Sequence, residues 1–287
     1  MKSPPFDYRD PRTLDEALSI LFENGEDARV LAGGQSLVPL MNFRLARPAV
    51  LVDINPLQEL SYIVENDGEV RIGAMTRQAN LETHEGVKRN YRLLPDAIAY
   101  ISHPAIRIRG TIGGSLAHAD PAAELVAVAL CADAEIKIRN KERPRWVPAR
   151  DFFQGPYTTA LEATEILEEI KFPRLPPSAK TVFLEFSRRE GDFALAGVAA
   201  MIETDEQGTC RQARIALCGA GAVPYRAVPV ERALVGERLT TKIIKETVPL
   251  VTEGLEPYSD VHASSEYREH LARVLTGRAL EIAIQRT

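Results

Sequence analysis

Two segments of the chain read Leu31-Ala32-Gly33-Gly34-Gln35-Ser36-Leu37 and Thr111-Ile112-Gly113-Gly114-Ser115-Leu116. In each, a glycine pair follows apolar residues typical of a strand and precedes a small hydroxylated residue. Because glycine has no Cβ, the main chain there can approach a ligand closely, and consecutive N–H groups can bind an anion. Serine and threonine hydroxyls can donate to the same oxygens. The sequence therefore predicts that both segments bind one pyrophosphate group.

The alternative interpretation is that each glycine pair only forms a tight turn. Other nucleotide-binding motifs, G-x-x-x-x-G-K-[ST] and G-x-G-x-x-G between a strand and a helix, are absent from the sequence. Gly219-Ala220-Gly221 contains G-x-G, but Pro224 follows where a helix would begin, which favours a turn at a strand end. The occurrence of the same pattern twice favours anion binding.

Local patterns around these segments predict interleaved helices and strands. Residues 13–25 combine a capping box, an apolar stripe and a final glycine, which predicts an amphipathic helix. Strands are predicted over 28–31, 50–54, 181–186, 194–202 and 213–218, a hairpin over 61–73 with Asn66-Asp67-Gly68 as its loop, and a closing helix through 267–282. The proline-rich run at 173–177 is the best candidate for a domain boundary.

The composition is that of an ordinary folded protein and excludes several classes. The 287 residues are 45% hydrophobic and 26% charged, which excludes disordered, collagen-like and disulfide-rich chains. A net charge of -5 argues against a general nucleic-acid or membrane-surface binder. No apolar run reaches the roughly 18 residues of a membrane span, and no signal-peptide core is present, so we expect a cytoplasmic protein. The three cysteines are expected to be reduced and buried.

Several isolated polar residues invite functional interpretations. His118 beside Asp120 is compatible with acid/base chemistry, but a structural role is favoured. Glu165, Glu168 and Glu169 are interpreted as a solvated face of a surface strand. Neither the histidines nor the cysteines have a metal-binding spacing, so no metal site and no catalytic residue is predicted.

The two glycine segments, the second extended through Glu124, resemble the FAD-binding medium subunit of the xanthine dehydrogenase and carbon monoxide dehydrogenase family of molybdenum hydroxylases. The similarity continues at residues 187–194 and 262–268, and so covers nearly the whole chain. It implies an α+β fold with a two-lobed FAD-binding domain of the vanillyl-alcohol-oxidase (PCMH) type, residues 1–176, with lobes of about 1–57 and 58–176. A smaller C-terminal domain of antiparallel sheet and helices is implied for residues 177–287.

The resemblance also assigns roles to particular residues. Both glycine segments are implied to wrap the FAD pyrophosphate, Glu124 to bind ribityl hydroxyls, Ile101 and Leu167 to line the flavin, and the loop with Phe193 to lie beside the isoalloxazine. The implied cofactor-binding residues are Leu31, Ala32, Gly33, Gly34, Gln35, Ser36, Leu37, Ile101, Thr111, Ile112, Gly113, Gly114, Ser115, Glu124, Leu167, Asp192 and Phe193. Gln35 and Ser115 replace residues common in relatives but keep hydrogen-bonding capacity. Residues 183–186 lack a lysine found in some relatives, which leaves the flavin potential and electron acceptor open.

The function implied by the resemblance is electron transfer through FAD. A large partner subunit is implied to carry the molybdenum cofactor, and a small one to carry [2Fe-2S] clusters, in a dimer of heterotrimers. Three cysteines are too few to ligate one such cluster, which agrees with clusters on a partner. The alternatives are a free-standing FAD-dependent oxidase or dehydrogenase of the same fold and a non-catalytic assembly module. The substrate of the complex stays open.

Overall fold

The computed structural model describes residues 2–66 and 68–286; Asp67, in the predicted hairpin loop, lies outside the described residues. The N-terminal part forms a three-stranded parallel sheet in the order β1-β3-β2. Its elements are β1 (Asp7–Arg9), α1 (Leu14–Asn24), β2 (Ala28–Leu31), α2 (Leu37–Asn42) and β3 (Val50–Asp53), with 3-10 turns at Gly25–Asp27 and Gln58–Leu60. The Thr13 hydroxyl caps α1 as predicted, accepting from the N–H of Glu16 at 3.2 Å, but the Glu16 carboxylate accepts from the N–H of Arg12 at 2.7 Å rather than from that of Thr13, so only half of the capping box forms.

The central part is a five-stranded antiparallel sheet in the order β4-β5-β10-β6-β7. Its strands are β4 (Ile63–Glu65), β5 (Glu69–Gly73), β6 (Glu135–Arg139), β7 (Pro144–Pro148) and β10 (Ile166–Pro173), and a small hairpin joins β8 (Phe153–Gly155) to β9 (Thr158–Thr159). The helices are α3 (Gln78–Thr83), α4 (Glu85–Asn90), α5 (Leu93–Ile98), α6 (Pro104–Arg109), α7 (Ile112–His118), α8 (Glu124–Cys131) and α9 (Ala149–Phe152).

The C-terminal part is a four-stranded antiparallel sheet in the order β11-β12-β13-β14 with helices against it. Its elements are β11 (Lys180–Phe186), β12 (Ala196–Thr204), β13 (Cys210–Cys218), β14 (Tyr225–Arg226), α10 (Val228–Leu234), α11 (Thr241–Thr247), a 3-10 turn at Val248–Thr252 and α12 (Ser265–Gln285). The predicted strands and closing helix are confirmed, as is the α+β fold class. Within the described ranges, no helix combines the length and apolarity needed to cross a bilayer.

Helix α8 joins the central and C-terminal parts. All eight of its residues are buried, because it packs against α5 on one side and against β12 and β13 on the other. Strand β12 lies between α8 and α12 and is buried over seven consecutive residues. Such a continuous apolar run is expected where both faces of a sheet are covered. Cys131 and Cys218 lie in this core, and with Cys210 they are free and buried, as predicted.

The interpretation of Glu165, Glu168 and Glu169 as a solvated face is wrong. Glu169 lies on β10, the middle strand of the central sheet, and Glu165 directly precedes that strand; each is only 6% exposed. Each carboxylate has a partner on another strand or loop: Arg145 for Glu165 at 2.6 Å, Lys137 for Glu168 at 2.7 Å and the Tyr62 hydroxyl for Glu169. Buried charges are tolerated when they are paired and hydrogen-bonded in this way.

Candidate functional site

The first glycine segment forms the connection between β2 and α2. Gly34 has φ +73°, a conformation that glycine adopts without strain. The side chain of Gln35 donates to the carbonyl of Gly33 at 2.8 Å and closes the loop. Within the described residues, no acceptor receives a hydrogen bond from the main-chain N–H groups of Gly34, Gln35 or Ser36. A row of free N–H groups needs an outside acceptor, such as water or an anion.

The second glycine segment begins α7 and uses its N–H groups differently. The N–H groups of Ile112 and Gly113 donate to the carbonyls of Thr76 and Ala74 at 3.1 and 2.9 Å. The Thr111 hydroxyl caps the helix by accepting from the N–H of Gly114 at 3.0 Å. The expected free N–H groups are therefore present in the first segment but not in the second. What the second segment can present to a ligand is the half-buried hydroxyl of Ser115 and, at Gly114, a main chain without a side chain.

The two segments lie against each other, as the sequence predicted. A Cβ built on Gly33 would lie 2.9 Å from the Cα of Gly110 and closer still to the carbonyl oxygen of Arg109. A Cβ on Gly114 would lie 3.6 Å from that of Ala32. Glycine at these positions therefore lets the two main chains meet.

Arg77 and Asn55, which sequence reasoning missed, connect the two segments. The Arg77 guanidinium donates to the Arg109 carbonyl and to Oδ1 of Asn55, both at 2.6 Å. Asn55 in turn donates from Nδ2 to the Ala32 carbonyl at 2.9 Å. Neither residue stands out locally, because Asn55 reads as an ordinary strand end and Arg77 as a surface cation.

The residues expected to line the flavin are only partly brought together. The loop after β11 lies against the turn after α5, since a Cβ on Gly191 would be 2.6 Å from the His103 ring. This places the loop with Asp192 and Phe193 near half-buried Ile101, and Phe193 is 75% exposed. Leu167 is only 5% exposed and packs in the central core on β10, with α7 nearby.

Glu124, the first residue of α8, forms a buried carboxyl pair with Glu185 of β11. Glu124 is 7% exposed and its carboxyl group lies beside that of Glu185, whose Oε2 is buried without a hydrogen-bond partner among the described residues. Burial, with Asp120 adding repulsion, raises the pKa of Glu124 to about 7. Burial and the charge of Glu124 raise the pKa of Glu185 to about 9. Two carboxyl groups in such contact share a proton rather than both ionise.

The loop after α7 is fixed by the C-terminal part of the chain. The N–H of Gly219 donates to the Pro121 carbonyl at 2.7 Å. Arg268, which is 1% exposed, donates to the carbonyls of Gly219 and Leu195 at 2.7 and 2.9 Å and pairs with Asp260 at 2.7 Å. Gly219 has φ +73° and lies directly after β13, which confirms the predicted turn.

Two family matches cover most of the chain. Residues 4–175 match the FAD binding domain in molybdopterin dehydrogenase, and residues 181–283 match the CO dehydrogenase flavoprotein C-terminal domain. The chain belongs to this flavoprotein family. The resemblance stated from its glycine segments is thereby confirmed.

Relatives in the family are similar over essentially their whole length. Subunit alpha of the 6-hydroxypseudooxynicotine dehydrogenase complex of Paenarthrobacter nicotinovorans is 41% identical over 286 residues, covering 100% of this chain and 97% of the relative. Caffeine dehydrogenase subunit beta of a Pseudomonas strain is 36% identical, covering 100% and 97%. Among solved structures, carbon monoxide dehydrogenase from Hydrogenophaga pseudoflava matches with a TM-score of 0.97 and 35% identity, covering 100% of this chain and 99% of that one.

The geometry of the flavoprotein fits the FAD expected for the family. The free N–H groups of residues 34–36 are suited to the anionic oxygens of a diphosphate. The hydroxyls of Ser36 and Ser115 lie on the same two segments and add neutral donors. Apolar Ile101 and Phe193 lie on neighbouring loops, where a planar aromatic ring system would cover their surface.

Proposed function

We propose that this chain is the FAD-binding, electron-transfer subunit of a cytoplasmic molybdenum hydroxylase complex. The observation that carries the proposal is the row of free N–H groups at Gly34, Gln35 and Ser36, beside the second glycine segment, in a member of this family. We assign residues 1–176 to the FAD-binding domain and residues 177–287 to the C-terminal domain. FAD, when bound, supplies the capacity to accept electrons from one donor and pass them to another.

In this proposal, the chain binds and orients the cofactor. The amides of residues 34–36 and the hydroxyls of Ser36 and Ser115 hold the pyrophosphate, while Arg77 and Asn55 keep the two segments at a fixed spacing. Glu124 binds a ribityl hydroxyl from the edge of its carboxyl pair. Ile101 and Phe193 exclude water from the flavin, and Leu167 supports that surface from the core beneath.

Partner chains complete the proposed complex. All three cysteines of this chain are buried and free, and one [2Fe-2S] cluster needs four ligands, so we assign the clusters to a small subunit. A large subunit holds the molybdenum cofactor and hydroxylates the substrate, and we propose a dimer of such heterotrimers. Electrons then pass from the large subunit through the clusters to FAD and an external acceptor.

An absorbance spectrum of the purified chain tests the cofactor assignment. Flavin bands in the visible range, with FAD rather than FMN released on denaturation, are expected. A flavin-free protein would favour the assembly module and refute the proposal. Copurification with two further chains distinguishes the electron-transfer subunit from a free-standing enzyme, and full substrate turnover by the isolated chain would favour the latter.

A further inference from the structure

Residues 38–47, here called the apolar turn, run from α2 into the turn that follows it and expose three large apolar side chains directly after the first glycine segment. Val38, Phe43 and Leu45 are 40%, 66% and 76% exposed. Single exposed apolar residues are common on protein surfaces, whereas three of them within eight residues of sequence are typical of an interaction surface. Val38 lies in the first turn of α2, next to Gly34, whereas Phe43 and Leu45 follow the far end of this helix, about 9 Å from the amides of residues 34–36 at the helical rise.

The apolar turn is held rigidly in a strained conformation. Arg44 has φ 61°, which is unusual for a residue other than glycine. Hydrogen bonds fix it, from the N–H of Arg44 to the Met41 carbonyl at 3.0 Å and from the N–H of Leu45 to the Leu40 carbonyl at 2.9 Å. Met41 is 2% exposed and anchors the turn in the protein. A turn fixed in this way presents Phe43 and Leu45 to a partner with little loss of conformational entropy.

The charge of the turn indicates the chemistry of its partner. Arg44 and Arg47 are exposed, and neither forms an ion pair with a carboxylate of the described residues. The sequence from Ala28 to Val52 contains no acidic residue, although the whole chain has a net charge of -5. On the neighbouring helix α6, Ile108 is 62% exposed and Arg109 is also exposed, next to Gly33. The surface is therefore apolar and positively charged around the glycine segments.

We propose that the apolar turn docks the iron-sulfur subunit of the complex, an inference that rests on the proposed function. Four thiolates give a [2Fe-2S] centre a net negative charge, which complements Arg44 and Arg47. The donor must also approach FAD closely, because electron transfer weakens steeply with distance. A partner seated on this turn lies beside the FAD-binding segments. Phe43 and Leu45 supply the buried apolar contacts of the interface, and the arginines steer the encounter.

The proposal is tested with the whole complex by coexpressing the chain with its iron-sulfur and molybdenum partner chains. We expect Phe43→Ser with Leu45→Ser to keep its FAD but to weaken binding of the iron-sulfur chain roughly tenfold or more. Phe22→Ser is the matched control, since Phe22 is 61% exposed on α1 and is contacted by Lys141 rather than by a partner. Arg44→Glu with Arg47→Glu is expected to slow association and to reduce its dependence on salt.

The possible outcomes separate this inference from the proposed function. If the wild-type chain retains FAD but binds no iron-sulfur chain, the proposed function and the docking site both fail. If wild type and the Phe43/Leu45 variant bind that chain equally, only the docking site is refuted. Selective loss of the molybdenum chain, or of self-association in the isolated chain, would assign the turn to a different occupant and would equally overturn the proposal.

Discussion

Replacing Glu185 with glutamine tests the carboxyl pair between α8 and β11. Burial beside Glu124 raises the pKa of Glu185 to about 9, whereas an unfolded chain ionises glutamate near about 4.3. The folded protein therefore holds a proton that the unfolded chain releases. The stability linked to this proton is fully present below the unfolded pKa and is lost as pH rises towards the folded pKa. One extra proton gives a slope of about 1.4 kcal/mol per pH unit, or about 2 kcal/mol between pH 7 and pH 8.5.

The glutamine variant removes this titration and keeps a hydrogen-bond donor for Glu124. Between pH 7 and pH 8.5, we expect the free energy of unfolding of wild type, measured in urea, to fall by about 2 kcal/mol relative to that of Glu185→Gln. Asp120 and Cys218 also face the pair and are unchanged in both proteins. Glu190→Gln, on the exposed loop that follows, is the control and is expected to show no such difference. If the free energy of unfolding of wild type does not fall relative to that of Glu185→Gln as pH rises from 7 to 8.5, the shared proton is refuted.

Three further predictions concern the framework of the site. Gly33→Ala is expected to separate the glycine segments and to lose most of the bound FAD by absorbance, whereas Gly68→Ala, with no atom within 4 Å of its Cβ, retains it. Thr111→Val removes the cap of α7 and is expected to lower the free energy of unfolding by about 1 kcal/mol, with Thr111→Ser restoring it. Arg268→Ala removes the partner of the Asp260 carboxylate and of the Leu195 and Gly219 carbonyls. It is expected to lower the free energy of unfolding in chemical denaturation by about 3 kcal/mol. A loss no larger than that of an ordinary surface substitution would contradict the structural role of Arg268.

Local signals in the sequence predicted most elements because they depend on neighbouring residues. The helix after Thr13 is determined by its own cap and apolar stripe, and β2 by a short apolar run before the glycines. The burial of Glu165 was missed because its partner Arg145 is 20 residues away and leaves no periodic pattern. The pairing of Glu124 with Glu185 was missed for the same reason, since it depends on how α8 packs against the C-terminal sheet.

The two glycine segments look alike in sequence but differ in what their main chains do. The second donates its first N–H groups to Ala74 and Thr76, and a Cβ on Gly113 would lie 2.5 Å from that of Ala74, so its glycine pair serves packing as well as ligand approach. The first leaves its N–H groups free and is fixed instead through its carbonyls, by Gln35 and Asn55. An anion site requires this combination. Hydrogen bonds to the main-chain carbonyls keep the loop rigid, and the free main-chain amides remain available as donors to the anion. The second segment thus supports the site, and the first supplies its main-chain donors.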